Sequence, residues 1–171
     1  LCRHFKPGGK ARVQTGDFEY RCRLKTVAPQ RALVVKALVQ DAPDVGRTIQ
    51  SLLEEVWDYL SRQEHATVGP GIARFHRFEA EPIELEAGFP VAERFDGDGR
   101  VRPVELPGGG AATTLHHGPY DGLPLAYQAL ERFMREQELR PAGPPYEIYW
   151  IDGSQAREPE ELRTEVVWPV E

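Results

Sequence analysis

The chain has 171 residues, of which 40% are hydrophobic and 28% charged, and a formal net charge of -6. That length suits one ordinary domain or two small fused modules with a real core, and the acidic balance argues against a phosphate-coated partner, so direct nucleic-acid binding by the folded part is not expected. No apolar run approaches the ~20 residues needed to cross a bilayer and no signal-peptide core is present, so a cytoplasmic setting without a membrane partner is expected.

Residues 1–17 are Gly-Pro-rich, are punctuated by Arg3, Lys6, Lys10 and Arg12, and read as a flexible basic tail. Cys2 and Cys22 are the only cysteines, without a CxxC pair or metal-like spacing, which fits a reducing compartment and no metal site. From Phe18 the residues Phe18, Tyr20, Cys22 and Leu24 alternate with charged ones, the pattern of a half-buried strand, and beyond Pro29 an apolar strand runs from Ala32 to Val39.

Asp44 takes the N-cap position of a helix whose apolar residues Val45, Ile49, Leu52, Leu53, Val56, Trp57 and Leu60 recur every three or four positions; Trp57 is read as core. Its far end near Glu64 meets a turn at Gly69-Pro70-Gly71. Strands at Ile72 to Phe78 and Pro82 to Phe89 follow, then an acidic, glycine-bearing linker.

The pattern then starts again. Val101 to Leu106 and Ala111 to His116 read as strands, and from Asp121 the residues Leu123, Ala126, Tyr127, Leu130, Phe133 and Met134 repeat the helical stripe. Gly143-Pro144-Pro145 closes the second helix as Gly69-Pro70-Gly71 closes the first. Ala73 then corresponds to Glu147, Phe75 to Tyr149, and Gly88-Phe89-Pro90-Val91 to Val167-Trp168-Pro169-Val170. Two ββαββ-like repeats follow from this, 18–91 and 101–171 with a linker at 92–100, in one domain spanning 18–171. The expected fold class is α+β: one antiparallel sheet, two long helices on one face and a ligand cleft on the other.

The second repeat carries His116-His117-Gly118-Pro119-Tyr120 entering its helix, Tyr146-Glu147-Ile148-Tyr149 on the next strand, and Thr164-Glu165 with Pro169 on the last. In these motifs the chain resembles the GyrI-like small-molecule-binding domain, which is also the effector-binding domain of multidrug-responsive bacterial transcription activators. The resemblance covers residues 18 to 171 and is more specific in the second half; the first has no carboxylate at the Glu147 position. It implies a cleft for lipophilic, often cationic aromatic molecules, with Glu147 as the strand glutamate at its base.

A carboxylate amid Tyr146, Tyr149 and Trp150 asks for a compensating cation, donor or proton. Strand alternation puts Tyr149 on the same side as Glu147, and Phe75 is expected to face Tyr149, so that two rings bracket the charge and hold a delocalised cation by cation–π attraction and ion pairing. Tyr120 either caps the cleft or staples the helix entry by packing. Trp168 either lines the cleft or fills the core, and Tyr20, with Phe18, either walls the cleft or packs under the helices. His116 and His117 are adjacent, so they point to opposite faces of a strand and cannot share one metal; His116 is read as stabilising the turn.

The leading expectation is a module that senses or sequesters lipophilic cations. Residues 1–17 are too short for a helix-turn-helix segment, so a stand-alone or excised module is expected, with a DNA-binding domain as a candidate separate partner. The resemblance also implies a second reading, a hydrolase of cyclopropane-bearing genotoxins in which Glu147 is the base or water orienter and Tyr149 the proton donor or oxyanion stabiliser. A third is a module that contacts a topoisomerase. No cofactor is expected, and no isolated histidine is placed on a helix to suit haem.

Overall fold

A computed structural model describes residues 10–15 and 18–171, with side-chain surroundings from Tyr20 onward. Cys2 and the start of the expected tail lie outside the described residues, as does the side chain of Phe18. In chain order the strands are β1 (Lys10–Thr15), β2 (Phe18–Val27), β3 (Gln30–Val39), β4 (Ile72–Arg77), β5 (Ile83–Pro90), β6 (Arg102–Leu106), β7 (Gly109–His117), β8 (Tyr146–Ile151) and β9 (Arg163–Pro169). Helix α1 (Val45–Leu60) follows β3, and helix α2 (Leu123–Glu136) follows β7. The α+β class is therefore observed, with antiparallel pairing in every strand pair whose register is defined.

One expectation is corrected at the N-terminus. Lys10–Thr15, assigned to the tail, form β1 and pair with β2 from Lys10↔Arg23 to Thr15↔Phe18. The alternation of Ala11 and Val13 with Lys10, Arg12 and Gln14 is a short period-two pattern, masked in the sequence by the glycines and proline before it.

The chain packs as two interleaved compact units. Unit one comprises the residues through Ala28, Gly108–Gly143 and Trp150–Glu171; unit two comprises Pro29–Pro107 and Pro144–Tyr149. In unit one the strand order is β1-β2-β7-β9, with α2 packed on it. In unit two it is β8-β4-β5-β3-β6, with α1 against β3 and β5. The sequence repeat and the packing unit thus divide the chain differently: β2 of the first repeat pairs with β7 of the second, and β6 of the second pairs with β3 of the first.

Both helices form because one stripe of each is apolar. α1 buries Ile49, Leu52, Val56, Tyr59 and Leu60, and α2 buries Leu123, Ala126, Ala129, Leu130, Phe133 and Met134. Each fully buried Leu, Phe or Met contributes roughly 1.5–3 kcal/mol relative to exposure. The reading of Trp57 as core is corrected: it is 52% exposed and rests its ring at a tilt on Phe89, with centroids 5.6 Å apart. One residue beyond Val56 turns the helix by about 100°, which carries Trp57 to the flank of the stripe, while Tyr59 takes the core position. Asp44 does precede α1, but its side chain makes no capping bond and instead pairs with Arg47 at 3.4 Å.

In unit two the core gathers on the α1 side. Leu33, Val35 and Val39 of β3, Ala73 and Phe75 of β4, and Leu85 and Ala87 of β5 join Ile49, Leu52 and Val56 in one buried cluster. Close strand approach is specified at Gly88, where an added Cβ would lie 1.8 Å from the carbonyl oxygen of Leu33. Gly88→Ala is therefore expected to cost about 3 kcal/mol or more by prising β5 from β3, checked by urea denaturation against wild type.

Candidate functional site

The register of β4 and β8 sets the site. Ile72 pairs with Ile148, Ala73 with Glu147 and Arg74 with Tyr146. Because position 73 corresponds to position 147 in the repeat, this pairing is symmetric about the Ala73–Glu147 pair, and equivalent residues sit directly across from one another there. Two glutamates at such a spot would be like charges on facing Cβ atoms, which destabilise a sheet. One carboxylate facing an alanine is the arrangement the register tolerates.

Glu147 is 5% exposed, and the Tyr149 hydroxyl donates a 2.8 Å hydrogen bond to its Oε2. Residues two apart on a strand share a face, so the spacing alone brings phenol and carboxylate together. The bond offsets part of the cost of taking the carboxylate out of water. Partners across β4 share that face too: Ala73 pairs with Ala87, and both belong to the cluster packed with α1, as does Tyr149. Glu147 therefore stands on the helix-bearing side of its sheet. The fold class is as expected, but Glu147 stands on the α1 face, not on the opposite one where the cleft was expected.

Phe75 is buried on that same face but does not face Tyr149. Its N–H donates to the Pro145 carbonyl, while the Tyr149 N–H donates to that of Gly71. The two rings therefore start from opposite ends of the Ala73–Glu147 row, about 13 Å apart along the strands. The expected bracket becomes a diagonal one, and it is the Tyr149 hydroxyl that reaches the carboxylate.

The other expected site residues belong to unit one. Trp168 is 7% exposed and meets Tyr127 of α2 edge-on, with centroids 6.1 Å apart. Tyr120 opens a short 3-10 turn ahead of α2 and is 42% exposed. Tyr20 is buried, and its hydroxyl lies 2.9 Å from Nδ1 of His116, whose Nε2 is 2.8 Å from the Pro119 carbonyl. A carbonyl only accepts, so Nε2–H donates to Pro119 and Nδ1 accepts from Tyr20. His116 is thus the clasp of the turn, as its position suggested, and Gly122 leaves room for it, since a Cβ there would lie 2.7 Å from the ring.

Sequence reasoning missed the paired rings of Trp57 and Phe89, although both stand at apolar pattern positions. It also missed Glu86, 1% exposed, bound by Arg74 at 2.6 Å and with His76 at 3.2 Å. A carboxylate in an alternating strand reads as solvent-facing until its neighbours are known. Unit two also has a shallow depression of about 530 Å³ lined by Pro29, Arg31, Gly69, Pro90 and Glu105 among others, which contains none of the expected site residues. Among the described residues no cluster of three or more His, Cys, Asp or Glu could hold a metal, and no helix is long and apolar enough to cross a membrane.

The profile described as the GyrI-like small molecule binding domain matches residues 21–171. The chain belongs to the GyrI-like family. Among solved structures, the EcmrR C-terminal domain superposes with a TM-score of 0.78 at 20% identity, over 89% of this chain and 98% of that one. EcmrR in its DNA complex gives 0.80 at 21%, again over 89% of this chain but 57% of that one, so the GyrI-like chain spans little more than half the longer protein. A hydrolase from Listeria innocua gives 0.61 at 16% identity, covering 88% and 91% of the two chains. SAV2435 bound to tetraphenylphosphonium gives 0.56 at 11%, covering 90% and 94%. At these identities the likeness is one of fold. Among curated proteins, no sequence matches the chain.

Burial raises the Cys22 thiol to about 11, against the hydrogen bond with Thr114 that lowers it. A pKa raised from the ordinary value of 9.0 contributes stability that is complete below pH 9 and lost as pH rises through 11. Native Cys22 is expected to resist a maleimide at pH 8 and to react once urea unfolds the chain, read by peptide mass mapping. Tyr20→Phe is expected to cost about 1–3 kcal/mol by leaving Nδ1 of His116 buried without a donor, measured by chemical denaturation.

Proposed function

We propose that this GyrI-like domain binds lipophilic, cationic aromatic molecules and that Glu147 is the residue that selects for their charge, in the service of sensing or sequestering them. The carrying observation is a single carboxylate, 5% exposed, held by Tyr149 at 2.8 Å at the point where β4 and β8 pair. A cation reaching it gains an ion pair in a medium of low dielectric. Truncating one partner of such a pair costs ~2–5 kcal/mol, whereas each ring facing a cation contributes ~0.5–2 kcal/mol. Glu147 therefore sets charge selectivity, while Tyr149 and Phe75 set size and shape.

The fold shared with SAV2435, which is described bound to tetraphenylphosphonium, supports that class of ligand. EcmrR is described in a DNA complex, which supports a regulatory setting in which a separate DNA-binding domain supplies the DNA contact. Because Glu147 is so deeply buried, the ligand reaches it as neighbouring side chains move aside, and binding is slower than diffusion allows. Trp168, Tyr120 and Tyr20 stand in unit one, where the described hydrogen bonds of Tyr20 serve the turn held by His116.

A second reading rests on the same hydrogen bond. A carboxylate with a phenol fixed 2.8 Å away is also the pair a hydrolase needs, Glu147 orienting or deprotonating water and Tyr149 donating to the developing anion. The Listeria innocua hydrolase of this fold favours keeping that reading, and the family resemblance supplies a strained cyclopropane as the electrophile.

Titration with tetraphenylphosphonium and with a neutral aromatic of equal size distinguishes the two. Wild type is expected to prefer the cation, and Glu147→Gln to lose at least about thirtyfold in cation affinity, equivalent to ~2 kcal/mol, with little change for the neutral compound. Indifference of both proteins to charge would sink the proposal. Incubation with a cyclopropane-bearing alkylator, followed by mass analysis, tests hydrolysis: a product heavier by one water with wild type but not with Glu147→Gln or Tyr149→Phe establishes it.

A further inference from the structure

The two repeats treat one equivalent carboxylate in opposite ways on the sheet face turned away from the helices. Glu86 on β5 corresponds to Glu165 on β9 by the same offset that matches Phe89 with Trp168. Both are buried, at 1% and 5% exposure. Around Glu86 the neighbours are polar: Lys36 at 3.9 Å, His76 at 3.2 Å and Arg74. Their counterparts in the second repeat are Leu115, Trp150 and Ile148, and the nearest cation to Glu165 comes instead from β2, as Lys25 at 2.6 Å, where unit two has Val104.

The consequence is an exposed apolar spot that the fold does not demand. Leu115, the cross-strand partner of Glu165, is 40% exposed, and Trp150 is 50% exposed with its indole N–H donating to Glu165 Oε2 at 3.0 Å. The bond tethers the indole edge while half of the side chain meets solvent, so the ring is ordered before any partner arrives. Polar residues occupy the same two positions in the other repeat, so nothing in the architecture forces hydrophobes here, and large exposed apolar groups are the informative exception on a surface.

The rim is basic, although the chain is acidic as a whole. Arg21, Arg23 and Lys25 follow one another on the same face of β2, and Arg163 lies on β9 two residues from Glu165. Arg21 and Arg23 are exposed. Glu165 is the only carboxylate on this face of β2, β7 and β9 among the described side chains, and it is shared by Lys25 at 2.6 Å and Arg23 at 3.8 Å, so the cations of this face outnumber it. Burial first, and then the Arg163 guanidinium, lower the His117 pKa, so His117 adds no charge at neutral pH.

We propose that the face of unit one centred on Leu115 and Trp150 is a protein-docking surface for an acidic peptide segment that seats one apolar side chain between them. Tryptophan and arginine are the residue types that dominate binding energy at protein interfaces, and a ring of charge around an apolar centre gives steering and register. A single-stranded nucleic acid fits less well. Such sites present successive rings for stacking, whereas this spot has one ring beside an aliphatic chain, and the net charge of -6 repels a polyanion at long range.

The test uses the whole chain and three fluorescein-labelled probes in anisotropy titrations: a glutamate-rich peptide with one central leucine, the same peptide with serine in its place, and a dT12 oligonucleotide. Variants Leu115→Lys and Trp150→His copy the residues of the other repeat, and histidine retains a ring N–H for Glu165, so both keep the fold; Arg23→Glu reverses the rim. The leucine peptide is expected to bind best, to weaken about tenfold in each variant and to weaken with added salt. Absence of leucine-peptide binding, equal affinity for the serine peptide, tighter binding of dT12, or affinity indifferent to all three variants would each overturn the proposal.

Discussion

A carboxylate buried in a sheet must be compensated by groups its own backbone neighbourhood can supply, and that constraint organises this protein more than any other. Glu147 obtains a phenol from two residues along the same strand. Glu86 obtains a guanidinium from the adjacent strand, and Glu165 an ammonium and an indole N–H from its neighbours. In each case the partner shares a sheet face with the carboxylate: Tyr149 lies on the same strand, Arg74 on the adjacent one, and Lys25 reaches across β7 from β2. The three differ in what surrounds the pair, and that difference separates a candidate ligand site from a structural knot and from an exposed docking spot.

The near-symmetry of the repeats sharpens the contrast. At Ala73–Glu147 the register sets equivalent positions side by side, so a duplicated glutamate would meet its own copy. The chain resolves this by differing there, with methyl on one strand and carboxylate on the other. At Glu86 and Glu165 the equivalent positions lie on different strands, β5 and β9, and both copies keep the charge while their neighbours diverge. Symmetry of backbone thus coexists with asymmetry of function, and one carboxylate per chain is left on the helix-bearing face at the pairing point of β4 and β8.

Interleaving is the second organising feature. Each compact unit draws its first strand from the other repeat, β2 into unit one and β6 into unit two. Neither repeat completes its own sheet, so the sequence segments that look like independent modules are not independent in packing. Long-range pairings of this kind must close large loops before they gain contacts, which slows folding relative to local hairpins. They also tie the candidate site to both repeats, because β4 comes from the first and β8 from the second.

Much of this was legible in the residues. Period-two alternation marked the strands, the three-and-four spacing marked both helices, and the Tyr-Glu-Ile-Tyr run placed Glu147 and Tyr149 on one side of a strand, because these patterns are local consequences of backbone geometry. His116 as a turn clasp was legible for the same reason. What lay beyond reach depended on partners distant in sequence. The flank position of Trp57 depends on where the α1 stripe meets β5, the side of the sheet that Glu147 faces depends on which face α1 covers, and the diagonal placing of Phe75 depends on the β4–β8 register. The exposure of Trp150 and Leu115 depends on Lys25, 140 residues from Glu165, taking over its neutralisation. The sequence by itself determined the two helices, the strands from β2 onward and the repeat, since each is written in spacing; only the tertiary structure decided which groups meet, because side-chain partnership is set by register and by the face a helix covers.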